Sequence, residues 1–282
     1  MGATTMPVVV VESERSALQV TGSDRQSWLD GILSCDLSSL PTRGAYGLLL
    51  TKQGKISTDV DVVANGDRLL LSVVRGQTDG VVATLDRMLI MEDAELERCG
   101  NDLACVRVHG SDAMEWLRQA PPHVAARELG WTAAGGCCVF VERAAVEAWR
   151  ALERAGAWDE LRVEHGFGLF GVDFDGNDNP HEAALDRRAV SFSKGCYLGQ
   201  EVVCMQDMRG KVKRRLSILE LDASAVNQGA SVYQSDTEVG RVTSVAPSGQ
   251  RCLAQIVAPH YEVGSLLTCC GVVARVVAPP SA

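Results

Sequence analysis

Two stretches of the chain repeat one order of apolar and polar positions. ALQVTGSDRQSWLDGIL (Ala17 to Leu33) and ACVRVHGSDAMEWLRQA (Ala104 to Ala120) share the pattern V-x-G-S-D-x-x-x-W-L, with Gly22 and Gly110 equivalent. Alternating residues before each glycine predict a strand, the glycine a turn, and Ser-Asp the cap of an amphipathic helix that carries Trp28 or Trp116 inward. Each copy leads to further strand and helix patterns: Leu69 to Val74 then Thr78 to Leu89, and Cys137 to Val141 then Ala144 to Ala155. A shared strand-turn-helix grammar would give some likeness, but matching Gly-Ser-Asp and Trp-Leu pairs point to duplication, and so to two related α+β lobes.

Within the first lobe, Ala45 to Leu50 and Lys55 to Val63 read as a hairpin around Thr51-Lys52-Gln53-Gly54. Ile56, Thr58, Val60 and Val62 alternate with Ser57, Asp59 and Asp61, which puts the two aspartates on one face, either solvated or forming the wall of a ligand site. Beyond residue 210 the pattern changes to six short strands in under 70 residues, from Leu216–Leu221 to Val272–Val277, punctuated by Asn-Gln-Gly and Pro-Ser-Gly turns. Such spacing predicts a small barrel or sandwich. The organisation expected is therefore residues 1–103, 104–210 and 211–282.

At 282 residues with 46% hydrophobic content the chain can bury a large interior, and no apolar run approaches the roughly 20 residues of a membrane span. The opening MGATTMPVVVVESERS lacks the basic and cleavage features of a secretion signal, so the ten cysteines are expected to be reduced, in a cytoplasmic setting. Most of them lie in apolar runs, as Cys137-Cys138 and Cys269-Cys270 do, and no CxxC or CxxH spacing marks a metal site. A net charge of −9 argues against general nucleic-acid binding. Against that balance, RGKVKRRL (Arg209 to Leu216) is locally basic, either as solvated charge or as a means of capturing a polyglutamate tail or an acidic partner.

The densest chemistry lies in KGCYLGQE, Lys194 to Glu201. Val190 and Phe192 alternate as a strand end, while Tyr197, Leu198, Glu201, Val202 and Met205 recur at helical spacing, which places Cys196 where a strand enters a helix. A helix N-terminus and the Lys194 ammonium both favour thiolate there, and Gly195 and Gly199 allow close backbone approach or unusual dihedrals. Upstream, RVEHGFGLFGVDFDGNDNPHEAAL sets Arg162 and Glu164 before Gly166, Gly168 and Gly171 in what reads as a polar loop.

KGCYLGQE resembles the KGCYxGQE signature of the YgfZ-type folate-binding proteins, relatives of the glycine-cleavage aminomethyltransferase used in iron-sulfur protein maturation. The R-[IL]-E-x-G and following G-x-[DE] of that superfamily are matched by Arg162, Glu164, Gly166, Gly171 and Asp173, although the proline usual in this loop is absent. The resemblance also covers VTGSD, LLLTKQGKISTD and VGRVTSVAPS, and so most of the chain. It implies an α+β, three-lobed aminomethyltransferase-like cloverleaf with a C-terminal small β-barrel, binding tetrahydrofolate or a derivative. By the same resemblance Glu164 reads the pterin, where one carboxylate accepts hydrogen bonds from the 2-amino group and adjacent ring nitrogen. Arg162, Asp59, Gly166, Gly171, Tyr197, Gly199, Gln200 and Glu201 complete the binding set, and Lys194 and Cys196 are the reactive pair.

Two departures matter. Aminomethyltransferases carry adjacent acidic residues in the hairpin strand, where this chain has Thr58-Asp59, and the arginine that usually follows GQE is replaced by Val203, Cys204 and Met205. The expected function is a folate-binding accessory factor for iron-sulfur proteins and their assembly machinery, tRNA-modifying enzymes among the clients. A folate-dependent aminomethyltransferase and a thiol or persulfide carrier without folate dependence are the alternatives.

Overall fold

The computed structural model describes residues 6–40, 42–129 and 133–279. The chain divides into two compact units: residues 1–52, 57–154 and 188–198 form one, and residues 53–56, 155–187 and 199–282 the other. Both repeat copies lie in the first unit, as does the Cys196 segment.

The first unit is built from two antiparallel sheets. The five-stranded sheet takes β2 (Arg15–Thr21), β3 (Ala45–Leu50), β4 (Ile56–Asn65), β5 (Arg68–Val74) and β6 (Glu95–Arg98), in the order β3-β4-β5-β2-β6. The four-stranded sheet takes β1 (Val8–Val11), β7 (Leu103–His109), β8 (Ala125–Glu128) and β9 (Gly136–Glu142), in the order β1-β7-β9-β8. The duplication is visible in this topology. β2 and β7, the strands of the two repeat copies, each end at a glycine with positive φ, Gly22 at 96° and Gly110 at 145°, where other residues are strained. Each then enters a short helix, α1 (Arg25–Asp30) or α3 (Ala113–Trp116). At Gly22 a Cβ would lie 2.1 Å from the Asp93 carbonyl oxygen, so this turn admits glycine alone. β5 and β9 likewise lead through one 3-10 turn into α2 (Thr78–Asp86) and α4 (Val146–Arg150).

The edge strands are exchanged between the copies. β1, which precedes the first copy, pairs with β7 of the second, with Val9 opposite Val108, and β6, which precedes the second, pairs with β2 of the first. Each sheet packs its outer face on its own helices. Leu18, Val20, Val60, Val62 and Leu71 bury Trp28 and Leu29 on one side. Val106, Val108, Val139 and Val141 bury Trp116 and Trp149 on the other, the two indoles edge to face at 6.1 Å.

The second unit centres on a closed six-stranded barrel, β10-β13-β12-β11-β14-β15. Its strands are β10 (Arg214–Leu221), β11 (Ser231–Gln234), β12 (Thr237–Val245), β13 (Arg251–Val257), β14 (Leu266–Cys269) and β15 (Val272–Val277), and closure leaves no unpaired edge. α5 (Ala157–Glu164) packs Val163 against Leu216, Ile218 and Leu253 of the barrel wall, and α6 (Gln200–Arg209) leads into it. No helix of the described residues is long and apolar enough to cross a membrane.

Candidate functional site

The residues singled out from the sequence fall in both units. Asp59, Lys194, Cys196 and Tyr197 lie in the first, and Arg162, Glu164, Gly166, Gly171, Gly199, Gln200 and Glu201 in the second.

Asp59 and Asp61 do share a face of β4, and of the two alternatives for it the solvated one is excluded. That face is the interior between the two sheets, because β4 has helices behind it and the second sheet in front. Asp59 is 4% exposed and Asp61 fully buried. Arg15 donates to both Asp59 carboxylate oxygens at 3.1 and 3.0 Å and to the Asp59 and Ser72 carbonyls at 3.1 and 2.6 Å. Arg107, from β7 of the other sheet, donates to Asp61 at 2.9 Å and lies 3.7 Å from Asp59. The Tyr46 hydroxyl donates to Asp59 at 3.2 Å. Burial alone would push the Asp59 carboxyl up, but Arg15, Arg107 and the hydrogen bonds of Arg15 and Tyr46 hold it below the ordinary range. Glu12, 3.4 Å from Arg107, has the opposite balance: burial dominates and raises its pKa. The Thr58 hydroxyl donates to the Asp59 carbonyl at 3.1 Å.

Arg15 and Arg107 are the residues that sequence reading missed. Charged residues inside strands that are otherwise apolar, Arg15 before SALQV and Arg107 within ACVRVH, were the available signal. Beside them, Asp61, Cys105 and Cys138 bring one oxygen and two sulfurs within 4.8 Å of one another. Arg107 occupies Asp61, and burial raises the Cys138 thiol well above its usual value, so this group belongs to the charge network.

The Cys196 segment corrects two expectations. Residues 190–198 form no strand, and α6 begins only at Gln200, behind Gly199 in a left-handed conformation at φ 80°. Cys196 therefore does not occupy a helix N-terminus. The Lys194 side chain is 3% exposed and bound to the end of α1. Its ammonium donates to the Asp30 carbonyl at 2.5 Å, the Asp30 carboxylate at 3.0 Å, and the Leu33 and Cys35 carbonyls at 3.0 and 2.6 Å. The buried Tyr197 ring lies 5.8 Å from the same nitrogen. Cys196 is exposed between these two anchored side chains. Gly195 has no positive φ and open space where a Cβ would stand, so neither strain nor crowding requires glycine there.

In the second unit, Arg162 and Glu164 lie in α5 rather than in a loop. The helix runs AWDELRVE behind Gly156, with Asp159 and Glu160 in its first turn, where carboxylates suit the helix dipole. Arg162 is buried and its donors are used within the protein: Nε to Asp159 at 2.7 Å, Nη1 to Asp173 at 3.0 Å and Nη2 to the Ser244 hydroxyl at 3.0 Å. Asp173 also accepts from Thr243 and Ser244 at 2.6 and 2.7 Å, which ties the loop after α5 to β12. Glu164, the last residue of the helix, is different. Its side chain is 49% exposed, makes no hydrogen bond among the described residues, and has one long ion pair to Arg251 at 3.9 Å. Its carboxylate is thus free to accept from a planar donor pair such as a pterin edge presents.

The glycines after Glu164 shape this end of the helix. Gly166, at φ 64°, leaves a Cβ position 2.9 Å from Ile218 Cδ1, so any larger residue would push the helix end off the barrel. Gly171, at φ 82°, has open space around it, and its backbone conformation is what calls for glycine. Gln200 and Glu201 open the first turn of α6. In the basic run, Arg214 binds Asp178 at 2.7 Å and Arg215 binds Asp186 at 2.9 Å, so part of that charge is structural.

No protein-family model matches the chain. Curated relatives include the aminomethyltransferase of Synechococcus elongatus, 29% identical over 267 residues, covering 82% of this chain and 71% of that protein. The aminomethyltransferase of Nostoc sp. is 26% identical over 266 residues with the same two shares, 82% and 71%. Among solved structures, glycine cleavage system aminomethyltransferase T from Bartonella henselae superposes with a TM-score of 0.78 at 19% identity, over 97% of this chain and 85% of that one. The chain thus has the aminomethyltransferase T-protein fold, and aminomethyltransferases are its relatives in sequence.

Proposed function

We propose that the protein is a tetrahydrofolate-binding accessory factor for the assembly or repair of iron-sulfur proteins, tRNA-modifying enzymes among its clients, with Cys196 as its working thiol. The observation that carries this reading is the KGCYLGQE segment, in which a single exposed thiol stands between two buried, anchored side chains. Glu164 supplies the folate-reading carboxylate, supported by its exposure and its lack of a hydrogen-bond partner among the described residues. Arg162 acts as a clamp that fixes the helix carrying Glu164, with each of its three nitrogens donating within the protein. The thiol is read as working in a reducing, cytoplasmic setting, where cysteines stay free.

A second reading, a folate-dependent aminomethyltransferase, is favoured by the names of the curated relatives. Against it, Thr58 replaces one carboxylate of the hairpin and Arg15 holds the other in a buried network. Two assays separate the readings. Calorimetric titration of the purified protein with tetrahydrofolate should show binding under both. Transfer of a one-carbon unit from an aminomethyl-lipoyl carrier protein to folate should be absent under the first, while deletion of the protein in cells should lower iron-sulfur enzyme activities, tRNA methylthiolation included. Robust aminomethyl transfer with unchanged iron-sulfur activities would reverse the assignment.

A further inference from the structure

We infer that Lys194 is a positioning residue that fixes the Cys196 segment in place by filling a cage of oxygens at the end of α1, and that it does not activate the thiol. The inference rests on the reading of Cys196 as the working group only for its functional consequence. The cage itself is a matter of geometry.

α1 ends at Asp30, and residues 31–33 continue as tight turns, so the carbonyls of Asp30 and Leu33 lack helical partners further along the chain. A buried carbonyl without a donor is costly. The Lys194 ammonium meets this need by placing three protons among four oxygens, those of Asp30, Leu33 and Cys35 and the Asp30 carboxylate, all within 2.5 to 3.0 Å. The Asp30 carboxylate is held in turn, since it accepts from the Leu37 backbone N–H at 2.8 Å.

The same short stretch grips the chain ahead of Lys194. The Ser34 hydroxyl donates to the Ala189 carbonyl at 2.6 Å, and the Ser191 N–H donates to the Ser34 carbonyl at 2.8 Å. After Cys196, the Tyr197 ring is buried and Leu198 packs on the core of the first sheet. Residues 189–198 are thus pinned at four places, Ala189, Ser191, Lys194 and the Tyr197-Leu198 pair, and Cys196 is exposed between the last two. A compact ammonium suits such a cage, whereas a planar guanidinium spreads its donors in a fork and is larger.

Three variants test the inference by hydrogen exchange and by alkylation of the intact protein. In Lys194→Met, which keeps the side-chain length and removes the charge, amides of residues 189–198 should exchange about tenfold faster or more. Cys196 should still react with iodoacetamide at the wild-type rate or faster, and support of iron-sulfur enzymes should fall. Lys194→Arg should behave like Lys194→Met, and Asp30→Asn, which leaves the three carbonyls, should give a smaller increase in exchange. The Asp30 variant also serves if Lys194→Met does not fold. Slower alkylation of Cys196 with unchanged exchange would overturn the inference in favour of thiol activation, and so would wild-type exchange and activity in Lys194→Arg. Should Cys196→Ala retain full activity, the functional reading fails while the exchange result still decides the cage.

Discussion

Two regions of the first unit each bury a cation among oxygens, yet they end in opposite places. In the hairpin region Arg15 and Arg107 are enclosed with Asp59 and Asp61 between two sheets, and all four are buried. In the Cys196 region Lys194 is enclosed as completely, but the chain emerges two residues later and exposes a thiol. The first arrangement joins the two copies of the repeat, since Arg107 comes from the strand of one and Arg15 and both aspartates from the sheet of the other. The second arrangement leaves a thiol exposed on a segment held by hydrogen bonds on its N-terminal side. A motif carboxylate and a motif lysine that look equally chemical in the sequence are thus both buried in ion pairs, and the thiol beside the lysine is left exposed.

The contrast should be widest in cysteine reactivity. Burial pushes the Cys137 and Cys269 thiols up to about 12, which leaves almost no thiolate near neutral pH, and both are shielded from reagent. Cys196 should therefore be alkylated by iodoacetamide on the order of a hundredfold faster than either. Peptide mapping of the modified protein reads the ratio, and comparable rates would place Cys196 with the core thiols.

Stability should divide the regions next. Asp59→Asn leaves Arg15 and Arg107 short of a counter-charge in a buried site and should cost about 3 to 5 kcal/mol in urea unfolding. Cys196→Ala, at an exposed position, should cost less than about 0.5 kcal/mol. Because the native state holds the Asp59 carboxyl below its unfolded value, its contribution is complete above the unfolded pKa of about 3.9 and is lost as pH falls through the native one. The gap between wild type and Asp59→Asn should accordingly close on acidification below about pH 4. A gap independent of pH would mean that packing, not charge, holds Asp59.

Glu164→Gln should weaken tetrahydrofolate binding by roughly 1.5 to 3 kcal/mol without lowering the unfolding midpoint, since the native carboxylate has only a long ion pair to lose. Titration calorimetry with unchanged affinity would remove Glu164 from the binding surface. The smallest effect is expected from Glu12→Gln. Burial raises the Glu12 pKa, so its ionised form is disfavoured in the native state and its contribution to stability is lost as pH rises through the native value. The amide, which mimics the protonated acid, should stabilise the protein by up to about 1 kcal/mol at pH 8, with the gain shrinking as pH falls. Destabilisation at pH 8 would show that the pair with Arg107 outweighs burial.

Much of this architecture is legible in the sequence where local rules decide it. The barrel strands follow alternation and turn residues, and Ser231–Gln234 and Val272–Val277 stand where the pattern placed them. The Gly-Ser-Asp turns mark both repeat copies because their glycines need positive φ. What escaped depends on partners distant in sequence. The edge-strand exchange that pairs β1 with β7 leaves no local trace, and the burial of Asp59 depends on a second sheet closing over β4. The expected strand before Cys196 failed because Ser34 and the α1 cage take up the polar groups of that segment. Arg162 and Glu164 read as loop because the neighbouring glycines dominated the pattern, although Ala157 to Val163 carries its apolar residues at helical spacing.

The exposed thiol at residue 196 is the proposed working group. Its most direct test is replacement of the chromosomal copy by Cys196→Ala, with iron-sulfur enzyme activities measured in cells and the purified variant checked for fold and tetrahydrofolate binding. The variant should be a folded, folate-binding protein that leaves iron-sulfur activities as low as deletion does. Wild-type activities with the variant at normal abundance would contradict it.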